Sequence, residues 1–193
     1  KKACNNGGKD MCNIAIFSTS DDRLVSSILE CKSKARIKAI ITNKPDSPVI
    51  HVAKRHNIKW KCFDPKEYKD RVSHEKDIVR FLKEESIEMI IFAHYMRLVT
   101  KYFVDNFRNK IINVHPSLLP HFKGANGYKD AFDAGVEKSG CTIHYVDEGL
   151  DTGEIILQKS VNCFKNDSFD SFKNRVHRVE CIAIQTVVQS LVV

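Results

Sequence analysis

Apolar and polar residues are arranged along the chain in blocks that predict short buried strands separated by helices. The predicted strands are runs of branched and aromatic apolar residues, which are typical of strands covered on both faces. Between them, apolar residues recur three or four positions apart, and this spacing indicates helices with one buried face. The predicted strands are residues 13–17, 37–42, 59–63, 88–93, 111–115, 141–146 and 155–161. The predicted helices cover residues 24–29, 49–56, 73–85, 100–107, 127–135 and 168–193.

The order of these elements predicts an α/β fold with a doubly wound, mostly parallel sheet. Strands and helices alternate through about residue 135, which is typical of parallel strands joined by crossover helices. The last two strands are expected to be antiparallel, and the long C-terminal helix is expected to lie across the sheet. The fold is therefore predicted to be Rossmann-like, with one domain over residues 11–193 and residues 1–10 as a disordered extension.

Two serines are placed where they can cap helices. Ser20 precedes the apolar spacing of the first predicted helix, and Ser73 precedes that of the third. A serine hydroxyl at this position accepts a hydrogen bond from a backbone N–H of the first helical turn. We therefore expect both residues to be N-caps.

The charge balance favours an anionic ligand. The chain has 31 lysines and arginines against 24 aspartates and glutamates, a net charge of +7. Such an excess attracts phosphorylated metabolites, polyglutamate tails or nucleic acid. No basic run with interleaved aromatic residues is present, so a small anionic ligand is expected rather than a nucleic acid. No apolar run reaches the length of a membrane span and no signal peptide is visible, so no membrane partner is expected.

Seven cysteines are scattered along the chain without a metal-binding pattern. They form no C-x-x-C pair and no cluster with histidines, so no metal is expected. Their odd number and irregular spacing are typical of free thiols in a reducing compartment, which predicts a cytoplasmic protein.

The strand at residues 111–115 carries the main chemical signal. Asn113 and His115 are two positions apart, so in a strand both side chains face the same way. Pro116 cannot donate to a sheet ladder and is expected to end the strand. The pair then lies at a strand's carboxyl end, where open α/β sheets bind ligands and where it could polarise a carbonyl and move a proton. The alternative is that Asn113 starts a turn and His115 is a hydrogen-bonded core residue.

A longer motif surrounds this pair. It consists of N-V-H-P-S-L-L-P at residues 113–120, Lys123-Gly124, and G-C-T-I-H-Y-V-D-E-G-L-D-T-G at residues 140–153. The motif resembles that of the formyltetrahydrofolate-dependent formyltransferases, and the similarity extends from about residue 11 to the end of the chain. The resemblance implies transfer of a formyl group from a co-substrate, 10-formyltetrahydrofolate, to the amine of phosphoribosylglycinamide in purine synthesis. It also implies small-molecule substrates, no metal, and a monomer or homodimer.

The family's catalytic residues correspond to three residues of this chain. By this resemblance, Asn113 holds and polarises the formyl oxygen, and His115 is the acid that stabilises the tetrahedral oxyanion. Asp151 keeps the imidazole protonated and orders a water that carries a proton. The chemistry is consistent, because a nearby carboxylate favours a cationic histidine and preplaced donors stabilise an oxyanion. No covalent enzyme intermediate is implied, since the substrate amine is the nucleophile.

Two segments resemble the family's folate-binding segments. The first offers backbone groups to the pteridine ring, and the second is a loop that closes over that ring. In addition, the family often has an arginine that contacts folate near residues 73–75, where this chain has His74. The implied folate-binding residues are Met96, Arg97, Leu98, Val99, Asp147, Glu148, Gly149 and Leu150.

A further set of residues corresponds to the family's site for the nucleotide substrate. In the family, a turn of the form S-G-x-G-S-N binds the substrate phosphate through backbone amides at a helix N-terminus. Here both glycines are replaced, and Asp21 and Asp22 place two carboxylates where the phosphate would lie. Glu180 corresponds to a glutamate that meets the ribose. The implied nucleotide-binding residues are Ser20, Asp21, Asp22, Arg23, Pro116 and Glu180.

Departures from the family pattern leave two other functions open. His94 lies in A-H-Y-M at residues 93–96, where the family usually has A-G-F-M, and this variant resembles formyltetrahydrofolate deformylase, a hydrolase of the same folate. Residues 124–128 also resemble that hydrolase, whereas Pro116 does not. The replaced phosphate turn indicates the second alternative, a paralogue that binds folate without catalysing transfer.

Overall fold

A seven-stranded β-sheet forms the centre of the computed structural model, which describes residues 11–191. The predicted extension at residues 1–10 lies outside the described residues. Every predicted strand is present, with ends within three residues of the expected positions. The strands are β1 (Asn13–Phe17), β2 (Arg36–Thr42), β3 (Lys59–Cys62), β4 (Met89–Ala93), β5 (Ile111–His115), β6 (Lys138–Tyr145) and β7 (Ile155–Asn162).

The strand order is β3-β2-β1-β4-β5-β6-β7. The first five strands run parallel, whereas β6 pairs antiparallel with β5 and β7 pairs antiparallel with β6. The order changes direction at β1, so the segments that follow β1 and β4 separate and leave a crevice at the carboxyl ends of these strands. The predicted doubly wound, mostly parallel sheet with antiparallel C-terminal strands is confirmed.

Helices cover both faces of this sheet. They are α1 (Asp22–Leu29), α2 (Val49–Arg55), α3 (Arg71–Glu84), α4 (Lys101–Asn106), α5 (Gly127–Asp133) and α6 (Phe169–Ser190), with a short 3₁₀ helix at Pro65–Glu67. On one face, α1, α2 and α6 pack in a single apolar cluster, and α3 and α4 contribute to the cluster on the other face. Within residues 11–191, no helix is long and apolar enough to span a membrane, and no three His, Cys, Asp or Glu side chains are grouped to hold a metal.

The alternation of β1 shows how the sheet is buried on both sides. Ile14 and Ile16 belong to the cluster beneath α1 and α6, whereas Ala15 and Phe17 belong to the cluster beneath α3 and α4. All four residues are fully buried. Successive strand residues point to opposite faces, so a continuous apolar run is what a strand covered on both faces requires.

The predicted N-caps of two helices are wrong by one and three positions. The N-cap of α1 is Asp21 rather than Ser20, and the Asp21 carboxylate accepts a hydrogen bond from the backbone N–H of Leu24 at 2.8 Å. The N-cap of α3 is Asp70, and Ser73 is the N3 residue of a reciprocal capping box with it. In both cases a carboxylate caps the helix because it also complements the positive end of the helix dipole.

The packing of α6 gives a direct stability test with two isoleucines of one helix. Ile184 is 0% exposed against the sheet, whereas Ile182 is 48% exposed. We expect Ile184→Ala to lower the free energy of unfolding by about 2–5 kcal/mol, because it removes buried methyl groups and leaves a cavity. The matched control Ile182→Ala is expected to change it by less than about 1 kcal/mol. Urea unfolding measures both, and equal losses would contradict the described orientation of α6.

Candidate active site

The carboxyl ends of β1, β4 and β5 open into a cleft of about 760 Å³. Its walls also include the loop between β6 and β7 and one face of α6. All of the predicted site residues except Glu180 line this cleft. Those that line it are Asn113, His115, Asp151, Met96, Arg97, Leu98, Val99, Asp147, Glu148, Gly149, Leu150, Ser20, Asp21, Asp22, Arg23 and Pro116.

His115 ends β5 with its imidazole buried in the cleft wall, at 3% exposure. Its Nε2 lies 2.8 Å from the carbonyl oxygen of Phe122, which accepts a hydrogen bond from the ring. Its Nδ1 faces the Asp151 carboxylate, with 3.5 Å between Nδ1 and Oδ2. The ring is therefore oriented by the backbone on one side and paired with a carboxylate on the other.

Asp151 is held in place by backbone contacts in a loop between β6 and β7. Its Oδ2 accepts a hydrogen bond from the backbone N–H of Gly124 at 2.7 Å, and its backbone has a φ of 50°. Aspartate tolerates this left-handed conformation better than most residues. At Gly153 a Cβ atom would lie 1.8 Å from the carbonyl oxygen of Tyr145, so only glycine fits there. The glycine two residues after Asp151 is thus required by the close approach of this loop to β6.

His144 of β6 lies directly opposite Asn113 in the antiparallel pairing of β5 with β6. Its Nδ1–H donates to the carbonyl of Tyr145 at 2.8 Å, so Nε2 carries the lone pair. Burial lowers the pKa of His144, which keeps the ring neutral. The Asn113 amide therefore donates one N–H to Nε2 at 3.2 Å. Because an amide has two N–H donors, the second can donate to a ligand.

The folate end predicted from sequence is apolar and cationic. Met96, Leu98 and Leu150 line the cleft with exposed side chains. Arg71, the first residue of α3, lines it too and was not predicted. His74 does not serve as the predicted partner of an anion, because it is buried and its Nε2 contacts the carbonyl of Phe63 at 2.9 Å. The cations that line the cleft among these residues are therefore Arg97, which was predicted, and Arg71, which lies three residues before His74.

At the other end, the Asp21 carboxylate is bound by groups of its own chain. Its Oδ2 accepts hydrogen bonds from Nδ1 of His94 at 2.8 Å and from Nε2 of His177 at 2.9 Å. Its Oδ1 caps α1 at the N–H of Leu24. The backbone N–H of Asp21 donates to the hydroxyl of Ser18 at 3.1 Å. In the turn that replaces the glycine-rich sequence, the carboxylate and the backbone N–H of Asp21 are therefore both hydrogen-bonded to other groups of the protein.

This network continues into the core through Glu180. His94 donates from Nε2 to Glu180 Oε1 at 2.9 Å, and the hydroxyl of Tyr128 donates to Glu180 Oε2. Glu180 is 0% exposed and does not line the cleft. In this structure its carboxylate accepts hydrogen bonds from His94 and Tyr128, and its contact with a ribose stays a prediction.

The network shifts the pKa values of its members strongly. Burial alone would lower the pKa of His94, but Glu180 and Asp21 on either side outweigh burial and raise it to about 10. Burial opposes protonation of His177 too, yet its hydrogen bond with Asp21 raises its pKa to about 9. Burial would raise the pKa of Asp21, but His177 and His94 hold it well below the usual range. Both imidazoles are therefore cationic and the Asp21 carboxylate is anionic near neutral pH.

Sequence reasoning did not assign His94, His177 and Tyr128 to this site. The partners in this network are 52 to 156 residues apart along the chain, so no local spacing joins them. One signal was available for His94, because it follows β4 at the edge of the sheet where ligand sites lie. Its φ of 55°, uncommon outside glycine, also marks it once the structure is known.

The sheet order, the cleft at its carboxyl edge and the amide–histidine–carboxylate group define an α/β enzyme for small molecules. The formyl transferase family model matches residues 12–188, so the chain belongs to the formyl transferase family. Over 185 residues it is 35% identical to phosphoribosylglycinamide formyltransferase of Bacillus subtilis (strain 168), covering 94% of this chain and 95% of that protein. Over 173 residues it is 36% identical to the human trifunctional purine biosynthetic protein adenosine-3, covering 88% of this chain and 17% of that protein.

Solved structures show the same fold. The crystal structure of glycinamide ribonucleotide transformylase 1 from Geobacillus kaustophilus superposes with a TM-score of 0.92 at 34% identity, covering 95% of this chain and 100% of that chain. Phosphoribosylglycinamide formyltransferase from Streptococcus pneumoniae TIGR4 superposes with a TM-score of 0.90 at 33% identity, covering 94% of this chain and 99% of that chain. The whole described fold, including the antiparallel C-terminal strands, is therefore that of this family.

The raised pKa values predict a loss of stability at alkaline pH. A histidine whose pKa is raised in the folded state stabilises fully below its unfolded pKa, and this stabilisation is lost as the pH rises through the folded pKa. For His177 that window runs from 6.5 to about 9, and for His94 from 6.5 to about 10. We expect the free energy of unfolding in urea to fall across these windows. In His177→Gln the fall should be shallower, by up to about 1.4 kcal/mol per pH unit.

The matched control for this experiment is His51→Gln, because His51 is an exposed histidine on α2. Its pH profile is expected to have the native slope, even if its absolute stability differs slightly. Identical slopes for the native protein and His177→Gln would contradict the described pairing of His177 with Asp21.

Proposed function

We propose that this enzyme transfers the formyl group of 10-formyltetrahydrofolate to the amine of phosphoribosylglycinamide, a step of purine synthesis. The observation that carries the proposal is the grouping of Asn113, His115 and Asp151 in one cleft, with His115 Nδ1 3.5 Å from Asp151. Membership of the formyl transferase family supports the chemistry. The relative in Bacillus subtilis, similar along nearly its whole length, supports the choice of acceptor.

The reaction begins when the acceptor amine attacks the formyl carbon. A carbon–nitrogen bond forms, and the electron pair of the C=O bond moves to the oxygen, which becomes an oxyanion. We assign one N–H of the Asn113 amide and the Nδ1–H of His115 as the donors to that oxygen, because both residues line the cleft at the end of β5 and Nε2 of His115 already donates to the Phe122 carbonyl. Donors fixed in advance stabilise charge that develops only in the transition state.

Asp151 has two roles in this proposal. Its carboxylate, 3.5 Å from Nδ1, orients the His115 imidazole for donation to the oxyanion. It also accepts, through a water molecule, the proton that the attacking nitrogen must lose. When the intermediate collapses, the C=O bond re-forms, the bond to N10 of the folate breaks, and N10 takes up the proton that Asp151 received from the attacking nitrogen, returned through the same water molecule. The numbers of protons released and taken up are therefore equal, and the enzyme returns to its starting state.

The burial of His115 and Asp151 strengthens their electrostatic interactions with the reacting groups. The imidazole of His115 is almost fully shielded from solvent, and the Asp151 side chain is largely shielded as well. Electrostatic interactions are stronger in such an environment than in water, because the effective dielectric constant is lower. The same burial limits the access of water, which would otherwise compete with the amine for the formyl group.

The folate is expected to bind beside Met96, Leu98 and Leu150. Their exposed apolar side chains suit a flat aromatic ring, and binding would remove them from water. Arg71 and Arg97 line the same cleft and fit the carboxylates of the glutamate tail. The net charge of +7 favours the approach of both anionic substrates.

We also propose a cytoplasmic location. Cys31, Cys62, Cys141, Cys163 and Cys181 are free thiols in the structure. Thiols persist in a reducing compartment and tend to form disulfides outside it. The proposed location therefore agrees with the thiols as well as with the proposed role in purine synthesis.

The catalytic assignment is tested by His115→Ala and Asp151→Asn. Each is expected to lower kcat/KM for formyl transfer by about 10²–10⁴, because proton transfer and oxyanion stabilisation are lost. Turnover is followed by the absorbance change of the folate, and folding is checked by circular dichroism. His121→Ala is the matched control, since His121 is exposed and does not line the cleft. Full activity of His115→Ala would refute the assignment.

The nature of the acceptor is tested by the products. Turnover of 10-formyltetrahydrofolate should require phosphoribosylglycinamide and should give its formylated form, detected by mass spectrometry. Equal turnover without the nucleotide, with release of formate, would identify a hydrolase that uses the same residues. No turnover under either condition would refute the proposed reaction.

A further inference from the structure

The N-terminus of α1 faces the cleft, and its anion site is filled by the protein itself. A helix N-terminus favours a negative charge because its first N–H groups lack partners within the helix. Here that charge is the Asp21 carboxylate, whose Oδ1 accepts from Leu24 N at 2.8 Å. The same carboxylate holds His94 and His177. A second anion that used these three donors would have to displace Asp21 from them.

The donors of the network are used within the network. His94 has one ring nitrogen on Asp21 and the other on Glu180, and Tyr128 donates its hydroxyl to Glu180. Two imidazoliums and two carboxylates also give this cluster a formal charge of zero. The cluster therefore offers a substrate phosphate neither a net positive charge nor these N–H groups.

Two cationic side chains stand outside this neutral cluster at the same end of the cleft. Arg23 of α1 and Lys173 of α6 are exposed, and both line the cleft. Arg23 donates from a guanidinium nitrogen to Oδ1 of Asn174, the residue that follows Lys173 on α6, at 3.1 Å. Lys173 lies over the Tyr128 ring, with its Nζ 5.7 Å from the ring centroid. Asp22 is the exposed acidic neighbour of this pair.

We propose that Asp21 permanently occupies the anion site of α1, so that the acceptor phosphate is bound further out, by the side chains of Arg23 and Lys173. This inference rests on the proposed function, because it assumes a phosphorylated acceptor. Arg23 presents a fork of N–H donors that matches two phosphate oxygens, and Lys173 adds a second positive charge. Asp21 repels the phosphate from the helix end and so determines where it binds.

The test measures the binding of inorganic phosphate by calorimetry at low ionic strength, without any turnover. The double variant Arg23→Gln/Lys173→Gln is expected to bind phosphate at least about tenfold more weakly than the native protein, since two charge-assisted contacts are lost. Both side chains are exposed, so the fold should be retained. Lys54→Gln/Arg55→Gln, which removes two cations of α2 outside the cleft, should bind like the native protein.

A second variant tests whether the Asp21 carboxylate keeps phosphate away from the N-terminus of α1. Asp21→Ser keeps an N-cap hydroxyl but removes the carboxylate, which opens the helix end to phosphate. We expect it to bind phosphate more tightly than the native protein. Adding Arg23→Gln/Lys173→Gln to it should cost less affinity than in the native background, because the phosphate then binds at α1. Native phosphate binding that is absent, or unchanged in the double variant, would overturn the proposal.

These measurements are separable from a failure of the proposed function. If the native protein binds phosphate through Arg23 and Lys173 but does not formylate phosphoribosylglycinamide, the reaction is wrong and the anion site stands. If it formylates the nucleotide and the double variant has an unchanged KM for it, the reaction stands and the anion site is wrong. A raised KM for the nucleotide, with the KM for the folate unchanged, supports both.

Discussion

The antiparallel pairing of β5 with β6 is the constraint on which the site depends. It sets Asn113 opposite His144 and His115 opposite Thr142, so one face of two strands carries all the polar groups at this point. A slip of one residue would turn each of these side chains to the other face of the sheet. The rest of the sheet is parallel and apolar, and its two buried faces leave little freedom for such a slip.

The same register fixes the loop that reaches Asp151. Thr142, opposite His115, donates its hydroxyl to the carbonyl of Ser117 and accepts from the N–H of Leu119. The segment after β5 is thereby tied to β6, and it then supplies the carbonyl of Phe122 to His115. It also supplies the N–H that holds the Asp151 carboxylate. The positions of the imidazole and of its carboxylate thus follow from one strand pairing, although the two residues are far apart in the sequence.

The parts of this structure that follow from local pattern could be predicted from sequence. Buried parallel strands appear as apolar runs, and a spacing of two residues places Asn113 and His115 on one side of a strand. The helix caps could not be placed reliably, because Ser20 and Asp21 are both good N-caps by residue type. Asp21 prevails because its carboxylate is also paired with His94 and His177, which are distant along the chain. No spacing rule links such partners, so the sequence indicated two repelling carboxylates, whereas in the structure the Asp21 carboxylate is compensated by two histidines and Asp22 is exposed.

The two ends of the cleft therefore respond differently to ligands. At the Asp21 end, removal of any one partner would leave a buried charge unpaired, which typically costs about 3–5 kcal/mol. That end is consequently fixed before a substrate arrives. At the other end, Met96, Leu98 and Leu150 remain exposed, and only a bound ligand can remove them from water. A co-substrate with a large apolar ring gains affinity from covering them, whereas the acceptor must fit a wall that is already closed. Under the proposed function, we therefore expect the rigid end to determine discrimination between acceptors, and the open end to determine the affinity for folate.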